Sequence, residues 1–337
     1  KIVFLAMSEN CAELEKIGEP AVKIVEELFF TTSDLSLLRQ AWKALDECCW
    51  LPNGTSDTIR YFRRCQNILW LDNDERSHRR VLSHIGKTGD LETLEALIND
   101  GELAYVRDGF TNEVISNLRW PACSKNPRTF AILTALLKDK YPDNRLSAIS
   151  VLENIRGEKT VDLLIISLRQ NAVLADSTKD SLDSFLIRVA EALGRLGDIR
   201  AVDPLLEIVR IEKLNAHCRE AAVFAIGKLG GLRAVDALVE MVRTKNLNAC
   251  CREAAASALG TLGDLRAIPP LLEMVRQRNL YLRYRETAAK SIVNIVVNHH
   301  DRREVDPLLK IVKMTGLSEL FRDDVAKAVK EITGKRP

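Results

Sequence analysis

Long apolar runs are missing from this 337-residue sequence, and so are most of the residue patterns that mark chemistry. The run nearest the start, Ile2 to Met7, is far short of the ~20 residues that cross a bilayer, and no charged leader, apolar core and cleavage site follow one another. The chain therefore reads as cytoplasmic, with no membrane partner. Sixteen glycines and ten prolines are too few for a fibrous or low-complexity chain, and 46% hydrophobic residues exclude disorder. Net charge is almost absent: 49 Lys+Arg against 47 Asp+Glu leaves +2, which gives no overall instruction toward DNA, membrane or acidic substrate. The eight cysteines show no CxxC or Cys/His spacing that would fix zinc and are too sparse for a disulfide scaffold, so they read as reduced, mostly buried thiols. No GxxxxGK[ST] loop and no local Ser/His/Asp or Cys/His pairing is present. The first residue is Lys1, not Met, which reads as a processed product or a piece of a larger protein.

What is there is a repeat. Leu193-Gly194, Ile226-Gly227 and Leu259-Gly260 stand 33 residues apart, as do Gly197, Gly230 and Gly263, Arg200, Arg233 and Arg266, and Arg219, Arg252 and Arg285. RVAEALGRLGDIRAVDPLLEIVR recurs as REAAVFAIGKLGGLRAVDALVEMVR and REAAASALGTLGDLRAIPPLLEMVR, and a fourth copy inserts four residues around Asn298-His299-His300-Asp301. Each unit carries two apolar stripes at helical spacing, Ala222, Ala225, Ile226 and Leu229, then Val235, Leu238, Val239 and Val242, which predicts a helical hairpin. Gly230 and its equivalents suit a left-handed C-cap, Asp198 and Asp264 an N-cap, and Pro204 and Pro270 the start of the second helix. Gly194 and its equivalents fall inside the first helix, where each costs about 1 kcal/mol of propensity that close approach of a neighbouring helix offsets.

Fainter copies extend toward the N-terminus. Residues 78–98 keep the Gly86, Gly89, Asp90 joint, 145–169 keep both stripes, and 15–29 place Pro20 at the opening of a helix. Leu35 to Trp50 with Thr58 to Leu71, and Ala104 to Leu118 with Thr129 to Lys138, read as degenerate pairs. This pattern resembles HEAT repeats, and "ALGxLGDxRAVxPLLEIV" is similar to the phycobilisome-lyase-type HEAT-like repeat. The resemblance implies an all-α, right-handed α-solenoid of about nine hairpins, closed by a helix near Leu317 to Ile332. Degenerate repeats fill 1–170, a longer polar inter-repeat loop 171–185, and regular repeats 186–337. The loop exceeds the period by eight residues and reads as a recognition loop, a hinge or a tolerated insertion.

Enzymes of HEAT-like fold leave marks that can be sought. Deoxyhypusine hydroxylases bind iron through His-Glu dyads, and no His-Glu dipeptide occurs. His299-His300 reads as a surface loop, not a metal site. HEAT-like alkylpurine DNA glycosylases use Trp, Arg and Asp, and all four tryptophans, Trp42, Trp50, Trp70 and Trp120, lie in the degenerate half. Trp42, however, sits on an apolar stripe and reads as core. Bilin lyases share the closest repeat type, but Cys218, Cys250 and Cys251 read as small residues at helix starts. The expectation is no enzyme, no metal and no cofactor.

Polar positions repeated in every unit read either as a phosphate-gripping ladder or as acid–base pairs between stacked repeats, the second being the expected one. In HEAT-type solenoids the second helices line the concave face, so partner contacts are expected at Glu207, Arg210, Lys213, Glu240, Arg243, Lys245, Glu273, Arg276 and Arg278, with Glu207–Arg210, Glu240–Arg243 and Glu273–Arg276 as i,i+3 pairs. Residues 186–285 hold 16 Lys+Arg against 11 Asp+Glu and residues 1–59 hold 5 against 10, so charge is polarised along the chain. The expected function is a non-catalytic scaffold or recognition module for a protein partner. One alternative is nucleic-acid binding through arginines among aromatics at Arg60, Arg63, Arg64, Arg79 and Arg80, and near Tyr281 and Tyr284. A second is a sensor or regulatory arm of a larger, nucleotide-driven enzyme.

Overall fold

A computed structural model describes residues 17, 19–69, 76–100, 126–174, 180–244, 247–299, 305–314 and 316–333. Every regular element among the described residues is helical, and the chain divides into two compact units, Lys1–Ile155 and Arg156–Pro337.

The first unit holds α1 (Glu19–Thr31), α2 (Leu35–Glu47), α3 (Gly54–Leu69), α4 (Arg76–Thr88), α5 (Leu91–Asn99), α6 (Pro127–Leu137) and α7 (Pro142–Ile155). Asp34, Asp90 and Asn126 start α2, α5 and α6 by accepting from backbone N–H groups of the first turn. α1 packs on α2 and α3, α3 on α5, and α6 on α5 and α7. The expected helix over 104–118 lies outside the described residues. Large rings fill this core: Phe29, Phe30, Trp50, Tyr61 and Phe62 form a chain of contacts with centroids 5.1–6.1 Å apart. Trp42 is buried, as its stripe position predicts, and donates from Nε1 to the Tyr61 hydroxyl at 3.4 Å.

The second unit is a stack of hairpins. α8 (Glu158–Leu174) precedes α9 (Asp180–Leu196) and α10 (Val202–Arg210), α11 (Ala216–Leu229) and α12 (Gly231–Arg243), α13 (Ala249–Leu262) and α14 (Ile268–Arg276), α15 (Leu282–His299) and α16 (Asp306–Val312), then α17 (Glu319–Thr333). The first helices α9, α11, α13 and α15 lie closely against one another, and each second helix packs on the first helix of the next hairpin. This is the α-solenoid architecture that the repeat predicts. The expected stripes are its core, with Ala222, Ala225, Ile226, Val235, Leu238 and Val242 all buried.

The interior glycines show why the first helices come so near. A Cβ on Gly194 would lie 2.9 Å from Ala225 Cα, on Gly227 2.7 Å from Ala258 Cβ, and on Gly260 2.7 Å from Ser291 Cβ. At the joints, Gly197, Gly230 and Gly263 take positive φ of 76°, 65° and 76°; Gly263 is the expected left-handed C-cap, whereas Gly230, with ψ −162°, lies outside the left-handed helical region. Asp198 and Asp264 then cap a short 3-10 turn by accepting from Arg200 and Arg266 N–H. In the middle repeat Gly231 replaces that aspartate, and α12 starts at once without the turn.

Two expectations need correction. The 171–185 segment is not one loop: α8 continues through Leu174 and α9 begins at Asp180, because the extra turns bury Ala172 and Phe185. Residues 175–179 lie outside the described residues. His299 belongs to the last turn of α15 instead of a loop, with Nε2 2.7 Å from the Gly263 carbonyl oxygen; His300 lies outside the described residues.

Candidate functional site

The repeated arginines divide into buried and exposed sets. Arg252, only 2% exposed, donates from Nε and Nη2 to the Val242 carbonyl at 3.2 and 3.1 Å and from Nη2 to Gln277 Oε1 at 2.9 Å. Arg285 donates from Nε to the Val275 carbonyl at 2.7 Å and from Nη1 to the Gly316 carbonyl at 2.8 Å. Both hold the last turn of the preceding second helix, where unpaired carbonyls and the negative end of the helix dipole favour a cation. These positions are structural.

The joint arginines form a surface ladder between repeats. Arg200 reaches Asp162 at 2.9 Å, Arg233 pairs with Asp203, and Arg266 reaches Asp236 at 2.7 Å. Arg200 and Arg266 also clasp their own caps, and their guanidinium hydrogen bonds hold the Asp198 and Asp264 carboxyls below the usual range. This is the expected acid–base stacking. The partners Asp162, Asp203 and Asp236, and the helix-starting Asn215 and Asn248, which accept from His217 and Cys250 N–H, escaped the sequence reading. Their signal was recurrence at the second-helix start and before the first helix.

On the second helices, the expected i,i+3 pairs give way to pairs between repeats. Glu207 takes two 2.8 Å hydrogen bonds from Arg169, which lower its pKa, and Arg210 reaches Glu240 at 3.4 Å. The neighbouring helix offers the opposite charge, so a side chain need not fold back along its own. Lys213, Arg243, Glu273, Arg276 and Arg278 are exposed; Lys245 lies outside the described residues. A row emerges that the sequence reading only partly caught: Arg169, Arg210, Arg243, Arg276 and Lys313 occupy one repeat position on five successive second helices, all exposed, at the C-terminal end in every case but Arg169, which α8 passes on its way to Leu174.

Among the described residues, two large hollows open over the first helices. One of about 560 Å³ spans α9, α11 and α13 beside Phe224, and one of about 510 Å³ spans α11, α13 and α15. Over the second helices, a hollow between α10 and α12 holds only about 50 Å³. The outer side of α13 causes the difference, since Ala254, Ser257 and Thr261 leave little bulk between Phe224 and Lys290.

The arginines expected to grip nucleic acid are occupied within the first unit. Arg64 donates to the Phe29 carbonyl at 3.2 and 3.1 Å and to the Thr32 carbonyl, closing the end of α1. Arg60 lies over the Phe30 ring at 4.5 Å. Arg63 pairs with Asp100 at 2.9 Å, and Arg80 pairs with Asp46 at 2.8 Å while donating to its carbonyl. Arg79 is exposed and also engaged within the chain.

The described thiols are free, and half of them are buried. Cys65, Cys218 and Cys251 are buried; burial pushes Cys218 up to about 12, Cys251 up to about 11, and Cys65 well up. Cys250 Sγ lies 3.4 Å from the Tyr284 hydroxyl. Among the described residues no group of three His, Cys, Asp or Glu side chains is placed to hold a metal, and no helix is long and apolar enough to cross a membrane.

With this geometry in hand, the chain can be set beside known proteins. The HEAT repeats family matches residues 211–293 and the PBS lyase HEAT-like repeat matches residues 186–210. No curated protein matches. Solved structures similar to the chain include human deoxyhypusine hydroxylase in complex with glycerol (16% identity, 95% of this chain and 99% of that one, TM-score 0.34). Another is the CpcE–CpcF complex of phycocyanin lyase from Nostoc sp. PCC7120 (17% identity, 79% and 92%, TM-score 0.33). A mutant of Kap121p is similar over 98% of this chain and 44% of that one (13% identity, TM-score 0.47). Residues 186–293 thus match HEAT repeats, the first of them of the PBS-lyase type.

Proposed function

We propose that the chain is a non-catalytic recognition module whose second-helix face binds an acidic segment of a protein partner. The carrying observation is the row Arg169, Arg210, Arg243, Arg276 and Lys313, five exposed cations one repeat apart, which Glu207 and Glu240 offset only at its first two steps. Stacked helices lie ~8–10 Å apart, so carboxylates spaced along an extended or helical segment can meet several of these cations at once. Cations at the ends of α10, α12, α14 and α16 also suit the helix dipole, but that benefit accounts neither for Arg169 inside α8 nor for the single exposed line. None of the helices that carry the row contains an aromatic residue, which favours a protein over a base-stacking nucleic acid.

The test is affinity purification with the wild-type chain and an Arg243→Glu/Arg276→Glu variant, with identification of what co-purifies. The expected result is an acidic protein that is recovered by the wild type, released by raising salt, and lost from the variant. Recovery of no protein above background, or of the same proteins by both chains, overturns the reading; salt-sensitive recovery of nucleic acid would replace it.

A further inference from the structure

The small hollow between α10 and α12 is a departure from the repeat. Ala237 and Thr244 line it. At the equivalent positions, the α8–α10 groove has Pro204 with Ile211, the α12–α14 groove Pro270 with Gln277, and the α14–α16 groove Pro307 with Met314. The smallest pair of the four thus stands where the space opens. Thr244 also turns its hydroxyl back to the Glu240 carbonyl at 2.8 Å, whereas Gln277 accepts from Arg252 across the joint. Leu206, Val209, Met241 and Leu247 complete a mainly apolar lining around the hollow of about 50 Å³. A cavity needs ~10–15 Å³ for each water-sized group it admits. This one therefore takes about four such groups, the size of a leucine, isoleucine or methionine side chain and smaller than an aromatic ring.

The hollow has a fixed place in the cationic row. Arg210 and Glu240 both line it and pair at 3.4 Å, so the row is neutralised at this step. At the next two steps Arg243 and Arg276 are exposed and form no ion pair with a described carboxylate. An aliphatic anchor with two carboxylates beyond it matches this face better than a uniform acidic run. Spacing selects the backbone that can present them. Neighbouring helices lie ~8–10 Å apart, and polyproline II, with three residues per turn and a rise of ~3.1 Å, puts every third side chain on one face at ~9.3 Å. A β-strand turns every third side chain to the opposite face. An α-helix returns a side chain to the same face beyond one turn only after seven residues, or ~10.5 Å.

We propose that the partner segment lies across the second helices as polyproline II, seating one aliphatic side chain in the hollow between α10 and α12 and placing carboxylates three and six residues away on Arg243 and Arg276. This rests on the acidic-segment reading above and adds what selects among such segments. Exposed cations attract any run of carboxylates, but only a segment with the anchor in step with its charges fills the hollow as well. A segment already extended in this form also loses little conformational freedom on binding. Both chain directions satisfy the spacing.

The test is fluorescence anisotropy of the labelled peptides LPPEPPE and EPPEPPL, titrated at low salt with the full chain up to about 1 mM. One of the two should bind, and its form with alanine in place of leucine should bind about tenfold more weakly. Moving both glutamates next to the leucine, at equal charge, should also weaken binding. Ala237→Leu, which fills the hollow, should remove the preference for leucine while leaving the alanine form unchanged. Thr244→Gln copies Gln277 at an exposed position and should narrow the same preference with an unaltered circular dichroism melt, which covers an Ala237→Leu chain that fails to fold. Arg243→Glu/Arg276→Glu should lose both forms. Equal binding of the leucine and alanine forms, a preference that survives the filling variants, or binding of neither peptide overturns the proposal. The acidic-segment reading is judged separately, by the protein recovered in the affinity purification: an acidic protein recovered there by a chain with no preference for leucine leaves that reading standing without the anchor.

Discussion

The two units solve one problem with opposite materials. In the first, Phe29, Phe30, Trp42, Tyr61 and Phe62 fill the space between helices, whereas in the second Gly194, Gly227 and Gly260 remove the space altogether. Both close helix ends with buried or half-buried guanidinium groups, Arg64 and Arg80 in one, Arg252 and Arg285 in the other. The difference explains why only one region looks periodic. A contact between backbones tolerates no side chain and must recur unchanged in every hairpin, but a pool of large rings can be repacked with no fixed register.

The sharpest way to break this contrast is to subtract volume from one unit and add it to the other. Phe62→Ala should cost about 3–5 kcal/mol by leaving a cavity. Thiol labelling during urea unfolding should then show Cys65 exposed while Cys218 and Cys251 stay protected. Gly260→Val should cost about 3 kcal/mol, since Ser291 Cβ and Cα lie 2.7 and 2.8 Å from the added Cβ. It should reverse the order of labelling, with Cys251 reacting before Cys65. If both variants expose the same thiol first, the two units do not fail separately.

Smaller effects refine the picture. Arg252→Ala should cost about 2 kcal/mol, and Arg252→Lys should recover little of it, because an ammonium cannot bridge the Val242 carbonyl and Gln277 as the planar fork does. Denaturant midpoints measured beside Arg64→Ala would show whether the device matters equally in both units. Gly263→Ala, at a φ of 76°, should cost about 1 kcal/mol in a thermal melt. The smallest effect belongs to the surface ladder. Asp198, Asp264 and Glu207 have folded pKa values below the unfolded ones, so their stabilisation is present above the unfolded carboxylate range and fades as pH falls through the folded values. The melting temperature should therefore decline modestly below about pH 4, and high salt at neutral pH should lower it by less still, since exposed pairs are screened.

Much of the second unit was legible because a 33-residue period exposes any position that every hairpin needs. Gly230, Asp198 and the paired arginines all fell where the period put them. The irregular half hid its logic: Arg60, Arg64 and Arg80 among aromatics resemble a nucleic-acid surface until the carbonyls of Phe29 and Asp46 appear beside them, and sequence spacing carries no trace of those carbonyls. The site was harder still. The resemblance to HEAT repeats pointed to the second helices, whereas larger hollows open over the first, because what makes a hollow is the small size of Ala254, Ser257 and Thr261, and small residues give no motif.

The glycine seam also bears on how such a chain changes length. Gly194 faces Ala225 and Gly227 faces Ala258, so excising the 33 residues from 211 to 243 would bring Gly194 against Ala258, a junction already proven one hairpin later. Whole repeats can be gained or lost without any interface having to be reinvented. Phe224, by contrast, has no counterpart in the neighbouring copies, and the same excision would erase it.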